Sequence, residues 1–161
     1  MDFQERLEKA VQRGQRRNQA RSDAAKAKAL SVEELKRLHN EHRLTISDHI
    51  EKSLRALPQH FPGFELETVY GDAGWGTAAK RDDAGSSRGD SRRNFYSRLE
   101  LTVRPISSAY VLELNAKATI RNKEIFNRKH FEKLTEVSLD TFRELVDAWI
   151  LEYAEMFAAS A

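Results

Sequence analysis

Alternating apolar and polar positions mark residues 94–121 as the centre of the fold. Over 95–103 and again over 110–120, every second side chain is apolar or small, and most of those between are polar. Successive side chains of a strand point to opposite faces, so this period of two predicts an antiparallel ribbon with one buried and one wet face. An apolar sheet face has to be covered, and two amphipathic segments elsewhere in the chain are suited to cover it.

Both of those segments are predicted to be helices. Ser31 followed by Glu34 is a capping-box pattern, which predicts a helix over 31–57 that ends before Pro58. Near the end of the chain, apolar residues recur at i, i+3, i+4 and i+7, which predicts a helix over 138–158.

The remaining elements are short strands and one long connection. We expect strands at 64–70, 94–104, 109–121 and 124–131. Residues 71–93 are rich in Gly, Asp, Ser and Arg, and Trp75 is their one large apolar side chain, so a long functional or mobile loop is expected there. The predicted fold class is α+β: a two-layer sandwich in which an antiparallel meander of three or four strands is covered on one face by two helices.

An additional basic helix is predicted ahead of this domain. With 161 residues the chain is about one domain long, and we expect it to divide into an arm at 1–30 and an α+β domain at 31–161. The arm favours helix and contains no proline, but its large apolar side chains over residues 2–29 are only Phe3, Leu7 and Val11. Because so thin a stripe gains little from packing on a core, the arm is expected to be a frayed segment, an exposed helix or a helix ordered by a partner.

Charge is unevenly distributed although the net charge is only +2. Residues 1–29 contain eight Lys or Arg against four Asp or Glu, and residues 94–135 show the same excess. Residues 136–161 contain one Arg against six acids. Segregation of this kind favours docking within the chain, contact between subunits or binding of a polyanion.

Basic side chains near aromatic ones are the candidate contacts for such a partner. The candidate positions are Arg13, Arg16, Arg17 and Arg21 on the arm, and Lys117, Arg121, Lys123, Arg128 and Lys129 in the 117–133 hairpin. On a sheet, Phe126 and Phe131 among these cations could stack bases while the cations hold phosphates. Pairing with Glu100 and Glu113 across the strands explains the mixed charges equally well, so both interpretations stay open.

Other chemistry is sparse. The chain has no cysteine, which excludes disulfides, thiolate metal sites and a thiolate nucleophile. His39, His42 and His49 share one helical face, but no second cluster completes a ligand set, so packed histidines are favoured and no metal or cofactor is predicted. The glycine spacing over 71–76 matches no phosphate-binding loop, and no catalytic set is recognisable.

These observations predict a non-enzymatic binding or assembly module that engages a partner through its basic arm. The partner would be a second copy of the chain, a different protein or a polyanion. No apolar run approaches the roughly 18 residues of a membrane span and no signal peptide is evident, so a cytoplasmic protein is expected. Two alternatives stay open: RNA or DNA binding through the arm and the 117–133 hairpin, and a small-molecule pocket under the 71–93 loop near Trp75.

Overall fold

A computed structural model of the chain describes residues 2–84 and 94–160, with the side chains of 27–30 and 84 left aside. Its helices are α1 (Phe3–Leu54), α2 (Ala56–His60) and α3 (Leu139–Ala159), and its strands are β1 (Glu65–Val69), β2 (Trp75–Ala84), β3 (Asn94–Val103), β4 (Val111–Ile120) and β5 (Lys123–Lys133). A single 3-10 turn, Leu134–Glu136, precedes α3. The chain divides into two compact units, Met1–Arg37 and Leu38–Ala161.

The fold class is α+β, with two long helices and an open antiparallel sheet. The sheet has five strands in the order β1-β2-β3-β4-β5, so neighbours in sequence are neighbours in space. Each connection joins adjacent antiparallel strands, which is the meander that short connections favour.

The additional strand is β2, which lies where a loop was predicted. The prediction of a loop over 71–93 is wrong for Trp75–Ala84, whereas 85–93 lie outside the described residues. Alanines, a glycine and four charged residues give this segment little strand propensity of its own. It forms a strand because β1 and β3 pair with its two edges, and Ala78 and Ala79 are fully buried.

Two helix boundaries also differ from prediction. No helix begins at Ser31, because α1 continues through it from Phe3. The capping-box residues are preceded by Ala and Lys, which favour helix, so nothing interrupts the hydrogen-bond ladder there. Pro58 lies inside the short helix α2 rather than after a helix, since a proline in a first turn removes no intrahelical hydrogen bond.

The core of the Leu38–Ala161 unit combines sheet and helix side chains. The helical contributions are Ile46, Ile50 and Leu54 from α1, and Phe142, Val146, Trp149, Ile150 and Tyr153 from α3. The Tyr153 hydroxyl donates a hydrogen bond to the Thr119 carbonyl at 2.8 Å, which ties α3 to β4. Ser138 caps α3, because its hydroxyl oxygen accepts from the Thr141 N–H at 3.3 Å.

Candidate functional site

The four candidate arginines of the arm lie on α1 and are all exposed. Arg13, Arg16, Arg17 and Arg21 are spaced i, i+3, i+4 and i+8, so they lie on one side of the helix over about 12 Å of its length. Within residues 2–84 and 94–160, these four guanidinium groups have no hydrogen bond, ion pair or ring contact. They form a row of unneutralised cations.

Beside this row, the start of α1 carries an uncovered apolar stripe. Phe3 is 74% exposed, Leu7 47% and Val11 51%. The spacing of four residues places these side chains on adjoining turns of one face. Every described side chain from 2 to 26 is exposed, so the first half of α1 has no apolar burial of its own.

The candidate basic residues of the 117–133 hairpin do not form one patch. Lys117, Lys123 and Lys129 are exposed, and within the described residues none of them has an ion pair. Arg121 lies in the turn between β4 and β5, where its guanidinium is 4.6 Å from the Phe95 ring centroid. Lys117 and Lys129 therefore lie on one face of the sheet. Arg121 and Lys123 lie at the end of the hairpin instead.

Arg128 is separated from this set because it faces α3. Its guanidinium donates to both carboxylate oxygens of Glu152, one of them at 2.9 Å, and it lies 4.4 Å from the Phe126 ring centroid. The hydrogen bond from Arg128 lowers the pKa of Glu152. Neighbours in a strand point to opposite faces, so Arg128 is engaged by α3 whereas Lys129 has no ion pair among the described residues.

Phe131, which was predicted as a ring that could stack bases, and Lys133 lie on the same side of β5 as Lys129. Positions 127, 129, 131 and 133 of β5 are all exposed, and the positions between them are less so. Phe131 is 63% exposed. The parity of these four positions is readable in the sequence, but the predicted strand ended at 131 and the exposed side of β5 was not assigned.

Trp75 is the first residue of β2 and is half-buried, not part of a loop. The guanidinium of Arg43 lies 4.4 Å from its ring centroid. A cavity of about 290 Å³ adjoins the two side chains, lined further by residues of α1, β1 and β2. The hydroxyl of Ser47, which lines this cavity, is buried without a hydrogen-bond partner among the described residues. The cavity therefore adjoins α1, and Trp75, Gly76 and Thr77 of the predicted 71–93 loop line it as part of β2.

A second cavity, of about 410 Å³, is almost wholly apolar and lies between α2 and α3. Its lining includes Leu57, Phe61, Ile150, Leu151 and Ala154. Leu151 is 69% exposed although it belongs to a helix with a strong apolar stripe. In the sequence, Leu151 is a large apolar residue that lies outside the i, i+3, i+4, i+7 apolar positions of α3, and this was the one sequence signal for an exposed apolar groove.

His39 and His49 make contacts between elements of the fold. His39 is buried, and its Nε2 lies 3.2 Å from the Arg104 carbonyl oxygen. Burial lowers the pKa of His39 although that hydrogen bond opposes the shift. His49 Nε2 lies 2.9 Å from Asp147 Oδ1, the same oxygen that accepts from the Ser53 hydroxyl at 3.1 Å. A hydrolytic triad needs the serine and the carboxylate at different ring nitrogens, so this cluster is a link between α1 and α3.

The described residues contain no cluster typical of a metal site. Among residues 2–84 and 94–160, no group of three or more His, Cys, Asp or Glu could hold a metal ion. No helix in that part of the chain has the length and apolarity needed to cross a bilayer. Comparison with protein-family models, with curated proteins and with solved structures found no match. The features that remain to suggest a function are the exposed surfaces of the arm and of β5.

Proposed function

We propose that the protein is a non-enzymatic binding or assembly module that engages its partner through the basic arm, residues 1–30. The single observation that carries this proposal is the exposure of every described side chain from 2 to 26, including Phe3 and the row Arg13 to Arg21. A helix is marginal in water unless packing of one face stabilises it. A partner that covers this face would supply that packing.

The arm offers a partner two chemically distinct contacts. The stripe of Phe3, Leu7 and Val11 fits the groove of a helix-binding partner, in which anchors at i, i+4 and i+8 occupy successive pockets. The arginine row, which has no ionic partner among the described residues, fits carboxylates or phosphates, which a guanidinium binds with two parallel hydrogen bonds. In this proposal, the Leu38–Ala161 unit is a two-layer sandwich whose sheet is covered on one face by α1 and α3.

Substitutions in the full-length chain test the proposal. In one variant Arg13, Arg16, Arg17 and Arg21 become Gln, which removes the charges and keeps the helix propensity. In a second variant Phe3, Leu7 and Val11 become Gln. A matched control replaces Lys52 by Gln, since Lys52 is an exposed cation of α1 already paired with Asp48.

Solution mass by light scattering and partner capture at two salt concentrations are the measurements. The proposal expects the arginine variant to lose a salt-sensitive partner, or the apolar variant to lose self-association, while the control behaves as the parent chain. Unchanged mass and unchanged capture in both arm variants would exclude a role for the arm.

A second candidate function is RNA or DNA binding through the arm and the 117–133 hairpin. The absence of any acidic partner for Arg13 to Arg21 within the described residues favours it. Neutralising phosphates releases counterions, so such binding weakens steeply as salt rises. A salt series with labelled nucleic acid distinguishes it from an apolar protein contact at the same arm.

A further inference from the structure

One strip of the sheet combines an exposed aromatic ring with uncompensated positive charge. It consists of Asn127, Lys129, Phe131 and Lys133, whose side chains share one face of β5. Among the described strands β5 pairs only with β4, so it lies at an edge of that sheet, and the four side chains of this strip are exposed. We name these four residues the β5 strip.

The adjoining strand adds a third lysine. Lys117 of β4 is in register with Asn127, on the same sheet face. The nearby acids of this face are already engaged: Arg104 lies 3.5 Å from Glu113, and Arg98 donates to Glu100 at 3.1 Å. Within the described residues, Lys117, Lys129 and Lys133 have no such partner. The nearby glutamates therefore do not neutralise these three lysines, which can bind an anion.

The spacing of side chains along the β5 strip suits a ligand in which aromatic rings alternate with negative charges. A strand rises ~3.3 Å per residue, so Lys129 and Lys133 are about 13 Å apart with Phe131 midway between them. Aromatic rings on an exposed sheet stack unpaired bases, and neighbouring cations hold the phosphates on both sides. In a duplex the bases are already stacked on one another and cannot reach such a ring.

We infer that single-stranded nucleic acid binds across the open face of β4 and β5. One base stacks on Phe131, and its flanking phosphates pair with Lys129 and Lys133, while Lys117 contacts the backbone from the neighbouring strand. This inference deepens the nucleic-acid alternative under the proposed function, yet it requires no residue of the arm.

The test measures fluorescence anisotropy of labelled oligouridine and oligothymidine with the full-length chain between about 50 and 200 mM salt. Phe131→Ala is expected to weaken binding by about 5- to 150-fold, the range for the loss of one stacked base. The double variant Lys129→Gln with Lys133→Gln is expected to flatten the slope of log affinity against log salt by about 1.4, since each phosphate contact on a single strand contributes ~0.7.

Tyr70→Ala is the matched aromatic control. Tyr70 is 78% exposed but follows β1 at the opposite edge of the sheet, where Asp72 and Glu67 are its nearest charged neighbours in sequence. This substitution is expected to leave affinity and salt slope unchanged. A loss equal to that of Phe131→Ala would overturn the inference, because any exposed aromatic would then serve.

Two further outcomes separate this site from the arm. If the variant with Arg13, Arg16, Arg17 and Arg21 changed to Gln loses binding while Phe131→Ala binds normally, the arm function stands and the β5 strip is excluded. If the parent chain binds neither oligonucleotide at about 50 mM salt, or if a duplex competes as well as a single strand, the inference fails.

Discussion

Gly76 provides the sharpest test of how β2 is held in the sheet. It lies opposite Thr102 of β3, and an added Cβ would stand 1.9 Å from the Leu101 carbonyl oxygen and 2.8 Å from the Thr102 Cα. These are backbone atoms of a paired strand, so no side-chain rotation relieves the clash. We expect Gly76→Ala to lower the free energy of unfolding by about 3 kcal/mol or more, at the upper end of overpacking costs.

Two other glycines separate the clash from other effects of adding a methyl group. Gly71 has φ of 128° and nothing within 4 Å of a built Cβ, so Gly71→Ala carries backbone strain alone, about 1–3 kcal/mol. Gly14 lies in α1 with the same open space, and Gly14→Ala is expected to stabilise the helix by about 0.5–1 kcal/mol.

Urea unfolding, followed by tryptophan fluorescence and circular dichroism, measures all three variants. For a chain of this length each kcal/mol lowers Tm by about 2–4 °C, so Gly76→Ala should melt about 6–12 °C or more below the parent chain. The denaturant slope should be unchanged if only native stability is altered. If Gly76→Ala costs no more than Gly71→Ala, β2 moves aside freely and the steric reasoning is refuted.

Three further predictions concern ionisable and hydrogen-bonding groups. Burial lowers the pKa of His39, so the folded state binds fewer protons than the unfolded state once the pH falls below about 6.5. The contribution of His39 to the free energy of unfolding should therefore be full above that pH and decrease as the pH falls through the lowered pKa. His39→Gln should make this decrease shallower in urea titrations at several pH values. An unchanged pH dependence would exclude His39 as its source. The side chains of Arg128 and Glu152 are both more than a third exposed. A double-mutant cycle to alanine should therefore give a coupling free energy of only about 0.2–1 kcal/mol, and this coupling should decrease as salt rises. A coupling free energy that does not change with salt would contradict this prediction. Tyr153→Phe removes the donor to the Thr119 carbonyl and should cost about 0.5–1.5 kcal/mol in thermal unfolding, whereas no loss would mean that water replaces the hydroxyl.

The elements with a clear local period were readable from the sequence. Residues 94–103 and 111–120 form strands β3 and β4, and 139–159 form α3, because alternation and the i, i+3, i+4 spacing record which side of each segment is buried. The N-cap of α3, Ser138, was also readable from the sequence, because capping depends only on residues within one turn.

What the sequence left open depends on contacts between distant segments. Ala78 and Ala79 are strand residues because β1 and β3 flank them, and neither alanine carries that information itself. Trp75 lies beside Arg43 through the pairing of two elements that are far apart in the chain. No local pattern records such a pairing.

The candidate surfaces show the same division. The sequence by itself determined that basic residues cluster at 13–21 and 117–133, since charge is read directly from residue type. Only the tertiary structure decided that Glu152 engages Arg128 while Lys129 and Phe131 stay exposed. The reason is physical: which face of a strand is covered depends on the register and bulges of its partners, here an irregularity at Ala118 and Thr119, and on where a distant helix packs.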